Sequence, residues 1–135
     1  MNDVVIFDTS VLVDEARTGR HRKRIESVDG LVRMSSVVLA ELLRGVTAPA
    51  EHKFLHTLAK NQPILTPTEW NWLESGEILA RIGTDQGFEP HKLRGLHFDL
   101  LIALTARSHG ARLVTTNRKD FELINRYRQI KLEVW

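Results

Sequence analysis

Four acidic residues stand where an acid is costly, and their types point to a site for a hard cation. Asp8 directly follows the apolar, β-branched run at residues 4–7, which suits a strand buried on both faces. Glu41 lies in Ser-Ser-Val-Val-Leu-Ala-Glu-Leu-Leu. At ~100° per residue it projects between Val37 and Val38, on the border of an apolar helix face. Asp99 heads the stripe Ile102, Ala103 and Ala106 on the most apolar helical stretch of the chain. A carboxylate there is expensive unless it is paired or bound to a metal. Asp120 follows a run in which an apolar segment ends in Thr115, Thr116 and Asn117. Each acid alone has a plainer reading: a turn former at Asp8, an edge glutamate at Glu41, a first-turn cap at Asp99, a loop cap at Asn117 and Asp120. Jointly those readings weaken, because no matching set of bases accompanies the acids.

Carboxylates gathered in one pocket repel, and their pKa values rise unless a cation neutralises them. With no cysteine and no paired histidine beside them, oxygen-only ligands favour Mg²⁺ or Mn²⁺ over zinc. His52 and His56 have the i, i+4 spacing of a zinc pair, but no third ligand is near, and surface histidines are the better account. His97 is expected to begin the helix that carries Asp99. Trp70 and Trp135 are expected in core or interface packing, although they and Trp72 could stack on bases.

The elements that would position the acids alternate. Strands are expected at residues 4–7, 31–34, 64–65, 112–115 and 130–135. Ser10 is expected to cap a helix to about Arg17, and Ser35 or Ser36 a helix over 37–44 that Gly45 ends. A third helix runs from Pro49 to about Lys60. Thr66, Pro67 and Glu69 form an N-terminal signature for a helix to Ile82, with Gly83 beyond its end. Residues 87–95 read as loop or irregular helix, and 97–108 as a helix stopped by Gly110. Alternation of this kind implies an α/β fold with a mainly parallel sheet covered on both sides. In such sheets ligands bind beyond the carboxyl ends of the strands, where these acids fall.

Composition bounds the rest. The 135 residues suffice for one domain, expected to span 1–135, and 42% hydrophobic with 27% charged residues is the balance of a soluble globular chain. The net charge of +2 announces no polyanion partner by itself, but basic residues cluster at Arg17, Arg20, Arg22, Lys23 and Arg24, and again at Arg118, Lys119, Arg126, Arg128 and Lys131. No signal peptide or membrane span is legible, and a cytoplasmic protein is expected.

At these residues the chain resembles a PIN domain of the VapC toxin type. Val-Val-Ile-Phe-Asp-Thr-Ser resembles the family's first motif, with Asp8. Ser-Ser-Val-Val-Leu-Ala-Glu resembles the second, with Glu41. Residues 98–121 resemble the third and fourth, with Asp99 and Asp120. Many members carry Asp where this chain has Asn117, so here the fourth acid falls to Asp120. The resemblance covers essentially the whole chain and implies a three-layer α/β/α sandwich. It implies an endoribonuclease whose metal is bound by Asp8, Glu41, Asp99 and Asp120, with Ser10, Thr116 and Asn117 as polar supports. It further implies hydrolysis leaving 5′-phosphate and 3′-hydroxyl ends, a VapB-type antitoxin and a homodimer. Residues 11–17 and 54–58 are candidates for the antitoxin's groove, and residues 84–95 for RNA specificity. One ion or two is left open. Two rivals stand beside this reading. One is an aspartate-nucleophile phosphatase using Asp8, which would want a second acid where Ser10 stands. The other is a non-catalytic PIN-like module binding RNA or protein.

Overall fold

The computed structural model describes residues 3–135; residues 1 and 2 of the expected 1–135 domain lie outside the described part. Strand β1 (Val4–Phe7) occupies the middle of a four-stranded sheet of order β2-β1-β5-β6, with β2 at Leu31–Val32, β5 at Arg112–Thr115 and β6 at Lys131–Val134. Every pairing in it is parallel, in the registers Val5 to Val32, Ile6 to Leu113 and Thr115 to Val134. All four strands therefore present their carboxyl ends to the same side.

The two-residue alternation of β1 and β5 divides the core. Ile6 and Leu113 point into a cluster with Val38 of α3 (Ser36–Gly45), Ile78 and Ile82 of α5 (Glu69–Gln86), Leu100, Leu101 and Leu104 of α6 (Pro90–Ser108), and Phe121 and Ile124 of α7 (Arg118–Tyr127). Val5, Phe7 and Val114 point the other way, against Val11 of α1 (Thr9–Thr18), Ile25 of α2 (Arg22–Glu26), and Val28 and Trp135. These are the three layers of an α/β/α sandwich. The remaining helix α4 (Pro49–Asn61) packs against α3.

The second strand expected at 31–34 is in fact two pieces. Leu31–Val32 pairs with β1, while β3 (Met34–Ser35) leaves that sheet and pairs in parallel with β4 (Ile64–Leu65). The chain enters this strand through Gly30, which no other residue could replace. Its φ is +139°, and a Cβ there would stand 2.5 Å from the Asp3 carbonyl oxygen.

Several helix boundaries depart from expectation. Helix α1 begins at Thr9 with Asp8 in the N-cap position, so Ser10 is inside the helix and caps nothing. Ser35 is the cap of α3, accepting from the amides of Val37 and Val38 at 3.1 and 3.3 Å. The start of α5 is set by Thr68 and Asn71, not by Thr66, Pro67 and Glu69. The Thr68 hydroxyl accepts from the Asn71 amide, and the Asn71 side chain accepts from the Thr68 amide, both at 3.0 Å. Helix α5 also runs past Gly83 to Gln86, ending at Gly87 in the left-handed region with φ +66°. The absent side chain of Gly83 makes room for Leu93 of α6, whose Cδ1 would lie 2.9 Å from a Cβ. Helix α6 begins seven residues earlier than expected, with Glu89 at the N-cap and Pro90 in the first turn, so His97 lies in its interior. Only 87–89 remain as a connection, which removes the specificity loop expected at 84–95. Helices α2 and α7 were not anticipated.

The α5 cap doubles as a tertiary tie, because buried Asn71 also donates to Ser108 Oγ at 3.0 Å at the far end of α6. We expect Thr68→Ala to lower stability by about 1 kcal/mol. Asn71→Ala should lower it by roughly 2 kcal/mol, because Ser108 and the Thr68 amide both lose a partner. Urea unfolding of the two variants checks both values; equal losses would show that the Ser108 contact contributes nothing.

Candidate metal centre

At the carboxyl ends of β1 and β5 the chain turns into helices, and the acids stand at those turns. Asp8 is only 3% exposed. Its backbone amide extends the ladder by donating to the Val114 carbonyl at 2.8 Å, which fixes it against the end of β5. Its carboxylate takes hydroxyl hydrogen bonds from Ser10 at 2.7 Å and Thr115 at 2.9 Å, both on Oδ2. The two hydroxyls are themselves tied down. The Thr116 amide donates to Ser10 Oγ at 3.1 Å and the Asn117 amide to Thr115 Oγ1 at 2.9 Å. One oxygen of Asp8 is thus held by a shared network, and Oδ1 keeps its lone pairs.

Glu41 shows the same division. From the middle of α3, partly buried, it accepts from the Thr9 hydroxyl on Oε1 at 2.7 Å, which leaves Oε2. Asp120 differs. It occupies the first turn of α7, whose cap is Asn117. Lys92 Nζ approaches its Oδ1 at 3.4 Å and Asn117 Nδ2 donates to its Oδ2 at 3.2 Å, so both oxygens are engaged.

Asp99, partly buried on α6, binds the group together electrostatically. Its pKa is raised from an ordinary 3.8 to about 8. Burial is the largest cause, followed by the charges of Asp8, Glu41 and Asp120, while Lys92 pulls the other way. Four segments far apart in sequence therefore bring their acids within Coulombic reach of one another. Ser10 and Asn117 are in contact with them as expected, whereas Thr116 contributes its backbone amide. Thr9, Thr115 and Lys92 escaped the sequence reading. The hydroxyls had a visible signal in their places beside Asp8 and at the end of a strand. Lys92 had none, since it falls in the stretch read as loop.

A hard divalent cation fits this donor set. The donors are all carboxylate oxygens, Asp8 and Glu41 each keep a spare oxygen beside the carboxyl of Asp99, and the repulsion felt by Asp99 is what a cation would relieve. Among the described residues, no three acids or histidines are already closed to the spacing of a ligand shell. They stand apart: Asp8 and Glu41 are held by hydroxyls, and Asp120 by the amide of Asn117 and the ammonium of Lys92.

The remaining expectations divide. His52 and His56 are exposed and stack at 4.5 Å. His97 faces α5, where its Nε2 lies 3.0 Å from Ser75 Oγ, and burial lowers its pKa. Trp70 is not in the core; it is 65% exposed, and Trp72 is 50% exposed. Trp135 packs as expected, against Phe7 with ring centroids 5.6 Å apart. Residues from 11–17 and from 54–58 do meet across an apolar groove of about 650 Å³, lined by Leu12, Ala16, Met34, Leu42, Phe54, Leu55 and Leu58 among others. The first basic run is exposed, with Arg20 paired to Asp14 and Arg22 to Glu15, and Arg20 and Arg24 line a hollow with Asp14, His21, Thr116 and Trp135. In the second run Arg118 pairs with Glu122, and Arg128 pairs with Glu74.

The family model described as the PIN domain matches residues 5–127. The chain belongs to the PIN domain family. Its PIN fold also recurs in solved structures. A chain of DNA-bound VapBC from Salmonella typhimurium superposes with a TM-score of 0.69 at 22% identity, covering 100% of this chain and 99% of that one. A chain of VapBC2 from Rickettsia felis, bound to a promoter DNA fragment, gives 0.69 at 23% identity, with 98% of both chains covered. FitAcB from Neisseria gonorrhoeae gives 0.64 at 19% identity over 95% of each chain. Compared by sequence with curated proteins, the chain has no significant match.

The raised Asp99 pKa has a consequence for stability without a cation. In the window between 3.8 and about 8 the folded chain keeps a proton that the unfolded chain has released. Stability therefore falls as pH rises through that window and levels off above it. We expect Asp99→Asn to flatten this slope and, in chelator at pH 8, to exceed the parent protein in stability by at least about 1 kcal/mol. Thermal unfolding across pH 4–9 measures it; parallel curves for the two proteins would contradict the assignment.

Proposed function

We propose that this PIN domain is a Mg²⁺- or Mn²⁺-dependent endoribonuclease acting in the cytoplasm as the toxin of a VapBC-type pair, with residues 1–135 as its single domain. The observation that carries the proposal is the upward shift of Asp99, caused first by its burial and then by the charges of Asp8, Glu41 and Asp120. Four acids in mutual repulsion at the end of a parallel sheet serve poorly as structural caps and well as a cation site.

Asp8, Glu41 and Asp99 would hold the ion, with Asp120 the fourth acid of the site. A bound divalent cation supplies Lewis-acid polarisation of the phosphate and a water of lowered pKa. The protein's part is to orient and neutralise. Ser10 and Thr115 fix Asp8 by one oxygen, and Thr9 fixes Glu41 by one oxygen, so the free oxygens are presented in set positions. Asp99, protonated up to about pH 8 without a cation, gives up that proton when positive charge is placed among the carboxylates. In the hydrolysis a water oxygen bonds to phosphorus as the P–O3′ bond breaks, and the departing 3′-oxygen takes a proton, leaving 5′-phosphate and 3′-hydroxyl ends. The site's negative charge repels RNA, so cleavage without metal should be negligible. Exposed Arg20 and Arg24, beside Thr116, are suited to the phosphates of the approaching strand.

The apolar groove between α1 and α4 offers a partner what an amphipathic helix needs, with Phe54 65% exposed at its side. It is the surface we assign to a VapB-type antitoxin. The homodimer that the family resemblance implies would have the exposed Trp70, Trp72 and Leu73 to bury.

Cleavage of RNA by the purified protein should require Mg²⁺ or Mn²⁺, cease in EDTA and return on adding either ion. Asp8→Asn and Asp99→Asn should each cut the rate by at least about 100-fold, a scale set by the loss of groups that hold a metal. Far-ultraviolet circular dichroism should remain unchanged. An Asp99→Asn protein as active as the parent would overturn the proposal. Stoichiometric metal binding without any turnover would point instead to a non-catalytic module.

A further inference from the structure

Lys92 occupies an uncomfortable position for a cation. It lies in the first turn of α6, two residues after Pro90, where the helix dipole disfavours positive charge. It is held there on two sides. Its ammonium lies 5.7 Å from the centroid of Phe88 and 3.4 Å from Asp120 Oδ1, and it stands two turns before Asp99 on the same helix. The carboxylates beside it are unequally free. Asp8 and Glu41 each have one oxygen hydrogen-bonded and one to spare, whereas both oxygens of Asp120 are engaged, one by Lys92 and one by Asn117.

We propose that Lys92 is a positioning residue that clamps Asp120 and stands in for a second metal ion, so that the site takes a single divalent cation on Asp8, Glu41 and Asp99. The inference rests on the nuclease reading above and refines it. A second ion shared by Asp120 would share its oxygens with the ammonium and the Asn117 amide, and would meet the repulsion of that positive charge at close range. Lys92 thereby supplies permanently, from the chain itself, the charge that a second ion would bring. Asp120 in turn is a member of the site through its hold on Lys92.

The test counts Mn²⁺ on the full chain without RNA, by calorimetry and by electron paramagnetic resonance of the free ion. The parent protein should bind one Mn²⁺ per chain. Lys92→Ala frees an oxygen of Asp120 at a half-exposed helical position where alanine folds readily, and should bind two. Lys92→Arg keeps the charge and should bind one. Two ions on the parent protein, or one on Lys92→Ala with unchanged affinity, would overturn the role given to Lys92 while leaving the nuclease reading in place. No binding by any of the three proteins would remove both together.

Discussion

Like charges that cannot move apart dominate the architecture of this PIN domain. Asp8 is fixed by the sheet ladder, Glu41 and Asp99 by helices with buried faces, and Asp120 by a capped helix start. The cost of that crowding falls on Asp99, which keeps its proton up to about pH 8, and the surroundings tie down the other three acids. Hydroxyls of Ser10, Thr115 and Thr9, the amide of Asn117 and the ammonium of Lys92 each take one carboxylate oxygen. What they leave over is one oxygen each on Asp8 and Glu41. The core on the α6 side, with Leu100, Leu101 and Leu104 fully buried, is what keeps Asp99 from retreating into water.

Much of this was legible because it is local. Short apolar β-branched runs between turn formers marked β1, β4 and β5, and three of the four acids were visible as charges on or beside apolar surfaces. The meeting of those acids followed from the parallel alternation of elements, which gathers strand ends on one side. The misreadings around α5 and α6 turn on glycine. Gly83 reads as a helix end and Gly95 as part of a loop or irregular helix, but they lie inside α5 and α6, and at Gly83 the missing side chain serves the close approach of Leu93. A glycine used for packing and one used to stop a helix are the same letter, and only the neighbouring helix tells them apart.

That ambiguity hid Lys92, the cation paired with Asp120. With α6 begun at His97, Lys92 belonged to a loop and had no defined relation to Asp99. With the helix begun at Pro90, the two are locked two turns apart. Helix α7 escaped for a different reason. Its charged residues outnumber its apolar ones, which masks the buried face formed by Phe121, Leu123 and Ile124. The division of β2 from β3 was equally hidden, since nothing in a five-residue stretch announces a change of partner strand.

The sheet ends at β2 on one side and β6 on the other, and each border is poorly suited to pairing with a foreign chain. The first offers only two residues, Leu31 and Val32. The second carries Lys131 and Glu133, charges that natural sheets place on free borders to discourage annealing. Growth of the sheet from molecule to molecule is thus guarded against in a chain that nonetheless exposes several large apolar side chains. Any contact between molecules is thereby left to exposed helical side chains such as Trp70, Trp72 and Leu73, and not to the sheet.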